Sequence, residues 1–342
     1  MQAACFHQHG GPDVIQIADL PEPAPGPGEV LVRVRAAALN RLDKWVRDGW
    51  PGLKLTLPHI TGSDAAGVVA AVGAGVAEWQ PGDRVAVNAN VGCGVCAACA
   101  AGQDNLCERW QLMGETRAGL AAEQVAVPAR QLVRVPDEVS LEQAAAAGLV
   151  YQTAWHSLIT RGGLRAGESV LVVGAAGGVN TAAIQIAKLA GATVYVVGSE
   201  ARKLALAQAL GADVLIDRSQ VDWGKEIFKL TGRRGVDVVV DNVGAATLMT
   251  SLRAARKGGR ILTVGNTSGP KFEFDNRFMF ARHLSLIGST MSTRAEYAAV
   301  MGLVFAGRLR PVIDSVRPLA EARAAHAQLE RGDVLGKLVL SL

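Results

Sequence analysis

From residue 169 to residue 289 the chain repeats one pattern: a short apolar, β-branched run, then a segment of helical period, then the next run. The runs fall at 170–173, 193–197, 214–216, 236–240, 260–264 and 284–287. Strands buried on both faces read as near-continuous apolar stretches, and parallel neighbours need a crossover between them, usually a helix. Six such strands with helical crossovers specify a parallel, doubly wound α/β sheet, which binds ligands at the carboxyl ends of its strands.

The first 150 residues have a different texture. Short apolar runs, as at 29–35 and 65–73, alternate with Gly and Pro punctuation, the mark of short strands and turns in an all-β region. Beyond residue 289 come one amphipathic helix at 320–330 and the apolar ending Gly336-Lys-Leu-Val-Leu-Ser-Leu342, too short to fold alone. A chain of 342 residues exceeds what one core serves, so two domains are expected: 1–150 together with 290–342, and 151–289.

Hydrophobic residues at 49% and charged ones at 19% are ordinary globular material. The net charge of +4 includes no run of five Lys or Arg, so neither nucleic acid nor a membrane surface is an expected partner. Residues 1–9 lack the features of an export signal, and no apolar stretch reaches the roughly 18 residues of a spanning helix. The expectation is a soluble, cytoplasmic protein with reduced thiols.

The first strand of the repeat runs into Gly174, Ala175, Gly177, Gly178 and Val179 and then a helix. A tight glycine turn opening a helix offers backbone N–H groups and a positive dipole to a pyrophosphate. Asn180 stands where the third glycine of that fingerprint normally lets helix and strand close up, which predicts a wider gap or a shifted turn. At the end of the second strand, Gly198 and Ser199 leave room for a 2′-phosphate that Arg202 or Lys203 would neutralise. NADPH is favoured, with Glu200 arguing for NADH.

Cys93, Cys96, Cys99 and Cys107 are spaced C-x2-C-x2-C-x7-C. Four thiolates fill a tetrahedral zinc shell and leave no open position, so such a site at 92–108 braces a loop and does not catalyse. Of the six histidines, His7 and His9 alternate with Cys5 on a terminal strand. His59 reads as a turn residue after Pro58, His156 as packed beside Trp155, and His283 and His326 as surface or interdomain residues.

The cysteine lobe, the glycine turn and the domain order together resemble the medium-chain dehydrogenase/reductase superfamily. Further pieces of the resemblance are Ala154-Trp-His-Ser157, Asp241-Asn-Val-Gly244 and Gly258-Gly-Arg-Ile-Leu-Thr-Val-Gly265. It implies a Rossmann domain beside a mainly-β, GroES-like catalytic domain with a zinc lobe, and a homo-oligomer, dimer or tetramer. Where zinc-dependent members place a catalytic Cys, a Gly-His-Glu motif and a second Cys, this chain has Asn40, Gly62-Ser-Asp64 and Leu149. One structural zinc and no catalytic zinc are therefore expected.

The zinc-free branch carries an Asn-x-x-Asp pattern that matches Asn40 and Asp43. The resemblance then implies reduction of a quinone or an α,β-unsaturated carbonyl by hydride from NADPH, in a cleft between domains. Asn40 and Ser63 would donate to the substrate oxygen, Asp43 would orient them, and Tyr151 would offer a proton. Thr153 would lie against the nicotinamide, and Asn242, Val264 and Gly265 would close strands at the ligand-binding edge. The alternatives are an NAD-dependent alcohol or aldehyde dehydrogenase, and a nucleotide-binding protein without turnover.

Overall fold

The computed structural model describes all 342 residues. They form two compact units, Met1–Gln152 with Ser292–Leu342, and Thr153–Met291.

In the first unit, the strand Glu29–Ala38 is the spine of a seven-stranded sheet. Its Val30, Val32 and Val34 alternate inward, and it pairs antiparallel with Ala65–Val72 and with Gln124–Pro128. The C-terminal strand Lys337–Ser341 joins the same sheet beside Glu29–Ala38, with Val339 opposite Ala38, and pairs in parallel with Ile313–Pro318. The apolar tail thus completes this core with Leu338, Val339 and Leu340, all fully buried. The amphipathic helix runs Ala322–Arg331 behind a 3-10 turn at Leu319–Glu321, a shift from 320–330 that follows from Pro318 ahead of it.

Four histidines depart from expectation. The first strand is Gln2–Phe6, so His7 and His9 lie beyond it and share no strand face with Cys5; His9 Nδ1 sits 3.1 Å from the Arg47 carbonyl. His59 is no turn residue: it is buried in the strand His59–Ile60, opposite Phe6. Burial lowers its basicity. His326 is buried among helix contacts, not at the surface, and burial with Arg47 nearby depresses it to about 3.

The second unit holds a six-stranded parallel sheet. In spatial order its strands are Val214–Asp217, Thr193–Gly198, Ser169–Val173, Val236–Asp241, Ala255–Thr263 and Ser285–Gly288. This is the doubly wound order 3-2-1-4-5-6, with its reversal between the first strand and the fourth. The four central strands bury nearly every apolar side chain, which is why their sequences are continuous Val and Ile runs. No helix is long and apolar enough to cross a membrane.

Candidate functional site

In the first unit, a polar cluster forms where Glu29–Ala38 ends. Asn40 precedes the helix Arg41–Asp48 and its N–H donates to Asp43 Oδ2 at 2.7 Å. Its amide Nδ2 donates to Asp64 Oδ2 at 2.9 Å and to Ser63 Oγ at 3.2 Å. The Lys337 ammonium donates to Asn40 Oδ1 and, at 2.9 Å, to Asp64 Oδ2. The Leu149 N–H donates to Asp64 Oδ1 at 2.6 Å. Asn40, Asp43, Ser63, Asp64 and Lys337 are all at most 5% exposed. Gly148 permits this closeness, because a Cβ there would stand 2.3 Å from Asp64 Oδ1.

Positions 40, 63 and 149, separated in sequence, are therefore joined by direct bonds or through Asp64. Their roles differ from expectation, however. Both amide hydrogens of Asn40 are spent within the cluster, so Asn40 has none for a substrate oxygen. Ser63 accepts from Asn40 and retains its own hydrogen. Tyr151 is buried and its hydroxyl donates to the Arg310 carbonyl at 2.8 Å, which removes it as the proton source. Asp43 is raised to about 7, chiefly by burial, against the pull of the Asn40 N–H and Lys337. Its Oδ1 has no partner.

Sequence reasoning missed two members of this neighbourhood. Lys337 lies 273 residues from Asp64 and reads as one residue of an apolar tail. Tyr297, on the helix Arg294–Phe305, has a buried hydroxyl without a partner, and burial with the Asp64 charge raises it well above its ordinary value. Its one signal is rarity, as the chain has three tyrosines.

In the second unit, the strand Ser169–Val173 turns through Gly174, Ala175 and Ala176 into the helix Gly178–Leu189, whose N-cap is Gly177. Gly174 adopts φ 106°, and a Cβ there would meet Asn180 Nδ2 at 2.5 Å. Asn180 fills the place of the missing glycine contact: Nδ2 donates to the Val173 carbonyl at 3.1 Å, and Oδ1 accepts from Asn242 Nδ2 at 3.0 Å. Asn242 Oδ1 in turn accepts from the Val264 N–H at 3.3 Å, so amides stitch three strand ends together. Gly265 follows next in the chain, and Val179 lies in the first turn of the helix.

These residues fit a dinucleotide. The space beside Gly177 is open, the helix presents its N-terminus there, and Thr153 Oγ1 is buried without a partner. At the second strand end, Glu200 pairs with both bases offered for a 2′-phosphate: it accepts from Arg202 at 3.1 Å and from Lys203. A third base, Arg218, reaches Ser199 Oγ at 3.5 Å and belongs to no motif that would single it out in the sequence.

The lobe brings the Sγ atoms of Cys93, Cys96, Cys99 and Cys107 within 4.8 Å of one another. Cys96 and Cys107 sulphurs are 3.8 Å apart, the edge of a tetrahedron with metal–sulphur bonds of about 2.3 Å. Backbone N–H groups of Val95 and Cys96 pull the Cys93 thiol down to about 5. Burial raises the Cys99 thiol to about 11 instead. By position, the four sulphurs fit one tetrahedral ion.

Comparison with known proteins agrees with this architecture. Residues 26–137 match the family model of the alcohol dehydrogenase GroES-like domain, and 178–306 that of the zinc-binding dehydrogenase. A quinone oxidoreductase of Homo sapiens is 31% identical, covering 100% of this chain and 98% of that protein. A crotonyl-CoA reductase of Streptomyces avermitilis is 33% identical over 96% of this chain and 82% of its own. The crystal structure of an NAD-dependent alcohol dehydrogenase superposes with a TM-score of 0.97 at 45% identity, each chain fully covered. With both family models matched and full-length relatives above 30% identity, the chain belongs to the medium-chain dehydrogenase/reductase superfamily and is an NAD(P)-dependent oxidoreductase.

Proposed function

We propose that the protein reduces a quinone or an α,β-unsaturated carbonyl compound with NADPH, using one structural zinc in the lobe and no catalytic metal. The observation that carries this reading is the donor set at Asn40, Ser63, Asp64 and Leu149. It offers an amide, a hydroxyl, a carboxylate and a backbone N–H, with Lys337 already bonded to Asn40 Oδ1 and Asp64 Oδ2. Such a set does not fit a catalytic zinc, which takes Cys, His or free carboxylate and keeps one position open. Oxidising a simple alcohol calls for a Lewis acid or a strong base at its oxygen. A conjugated acceptor is electrophilic by itself and passes incoming charge to its oxygen, where hydrogen bonds suffice. Quinone oxidoreductase and crotonyl-CoA reductase, the two relatives, are named for substrates of that type.

When bound, the reduced nicotinamide supplies the hydride. The chain's own residues do the rest: the Gly177–Gly178 turn and Thr153 hold the dinucleotide, and Arg218, with Arg202 and Lys203, neutralises a 2′-phosphate. Ser63 keeps a hydrogen for the acceptor oxygen, and Asp43 anchors the Asn40 backbone. Tyr297, buried and unpartnered near Asp64, holds its own proton tightly, and the proton for the reduced acceptor comes from solvent.

Glu200 beside the ribose position, and the 45% identical NAD-dependent alcohol dehydrogenase, favour the second reading, alcohol oxidation with NAD. One measurement separates them: metal content of the purified chain beside NADPH and NADH consumption over quinones, enones, enoyl thioesters and alcohols. The expected result is one zinc per chain, NADPH oxidation by a conjugated acceptor and no alcohol turnover. Two zincs, with alcohol-dependent NAD reduction that a chelator abolishes, would establish the second reading instead.

A further inference from the structure

Lysine is seldom buried, and the side chain of Lys337 is 4% exposed. Desolvating it and the Asp64 carboxylate is costly, and their attraction repays that cost only in good geometry, so a purely structural pair is often no better than an apolar one. The sheet fixes this geometry. Val339 lies opposite Ala38 and the Leu39 N–H donates to the Leu338 carbonyl, so the register carries Lys337 to Asn40. Two ammonium hydrogens are spent, on Asn40 Oδ1 and Asp64 Oδ2, and the third meets no protein acceptor.

The bonds have one direction. Lys337 donates to Asn40 Oδ1, Asn40 Nδ2 donates to Ser63 Oγ, and the Ser63 O–H is unspent. Each donor in such a chain is polarised by the one before it, so the positive charge strengthens the last hydroxyl as a donor.

We infer that the Lys337 ammonium is the built-in cation of the acceptor site: it holds the Asn40 amide and the Asp64 carboxylate as a bound ion would, and through Ser63 it stabilises negative charge arriving on the acceptor oxygen. The role rests on the proposed reduction of a conjugated acceptor. Lys337 acts through Asn40 and Ser63 and is a positioning residue.

Three variants test this. K337A removes the tethered charge and leaves room beside two buried carboxylates, Asp43 and Asp64; it is expected to bind one Co2+ per chain more than wild type, with a new visible absorption band. D64N/K337M keeps the volume and removes both charges, so it folds even if K337A does not; its kcat is expected to fall about a hundredfold, with the NADPH dissociation constant within about twofold of wild type. K337R, which keeps the charge, is expected to recover part of kcat. A recovered K337A at wild-type cobalt content overturns the inference, and so does D64N/K337M with wild-type kcat. If wild type oxidises NADPH with no conjugated acceptor, the functional reading fails, and cobalt uptake by K337A alone decides on the cation.

Discussion

Asp43 is the residue at which burial and charge conflict most openly. Its carboxyl is 1% exposed, with one oxygen on the Asn40 N–H and the other unpartnered. Raised from 3.8 to about 7, it binds a proton more tightly when folded than when unfolded. Its stabilising contribution is therefore complete below about pH 4 and is lost as pH rises through about 7. Replacing it as D43N keeps an acceptor for the Asn40 N–H and removes the ionisation. Thermal unfolding followed from about pH 5 to about pH 8 should show wild type losing stability relative to D43N. The loss reaches up to a few kcal/mol, because each tenfold gain in proton affinity on folding is worth about 1.4 kcal/mol. Parallel profiles would mean that Asp43 is ionised throughout at no cost.

At the scale of elements, the turn into the helix Gly178–Leu189 shows how a departure from a fingerprint is absorbed. Asn180 does not merely widen the gap between strand and helix; its amide fills it and bonds the Val173 carbonyl and Asn242. N180G should cost about 2 to 3 kcal/mol, from two lost hydrogen bonds and a glycine within a helix. It should also weaken NADPH binding several-fold while leaving kcat within about twofold. Denaturant unfolding and a fluorescence titration measure the two effects, and unchanged affinity would leave Asn180 a purely structural residue. Elements also differ in how far a sequence discloses them. The central strands are legible because burial on both faces writes itself as Val170 to Val173 or Val238 to Val240, and the four cysteines because ligand spacing is local. Positions 40, 43 and 63 are visible through their pattern, yet their bonding is not, since hydrogens of Asn40 are allotted by Asp64, Ser63 and a lysine from the final strand. His326 and Tyr297 escape a sequence reading because helical periodicity alone does not say how deeply a polar residue on a helix is buried.

At the scale of the molecule, the first unit is interrupted and the second is continuous, Thr153–Met291 leaving and rejoining the first at Gln152 and Ser292. Those two residues touch: Ser292 Oγ donates to Gln152 Oε1 at 3.0 Å, and both side chains are buried. Gln152 Nε2 lies 3.4 Å from Asn88 Oδ1, and the Asn90 amide donates to the Ser292 carbonyl at 2.9 Å, so the junction is bound into the first unit. Joining residue 152 to 292 through about three glycines spans this gap, as each extended residue covers about 3.5 Å. The shortened chain should fold and bind zinc in the lobe, shown by one cooperative urea transition and a stoichiometric metal count. A chain that stays unfolded with zinc present would show that the first unit depends on the second.

The hydrogen bond between Gln152 and Ser292 makes departure and return a single seam. What lies between its lips can be exchanged as one cassette: a swap there is expected to re-address the protein to another reductant and to leave the bonds among Lys337, Asn40 and Ser63, all within the first unit, as they are.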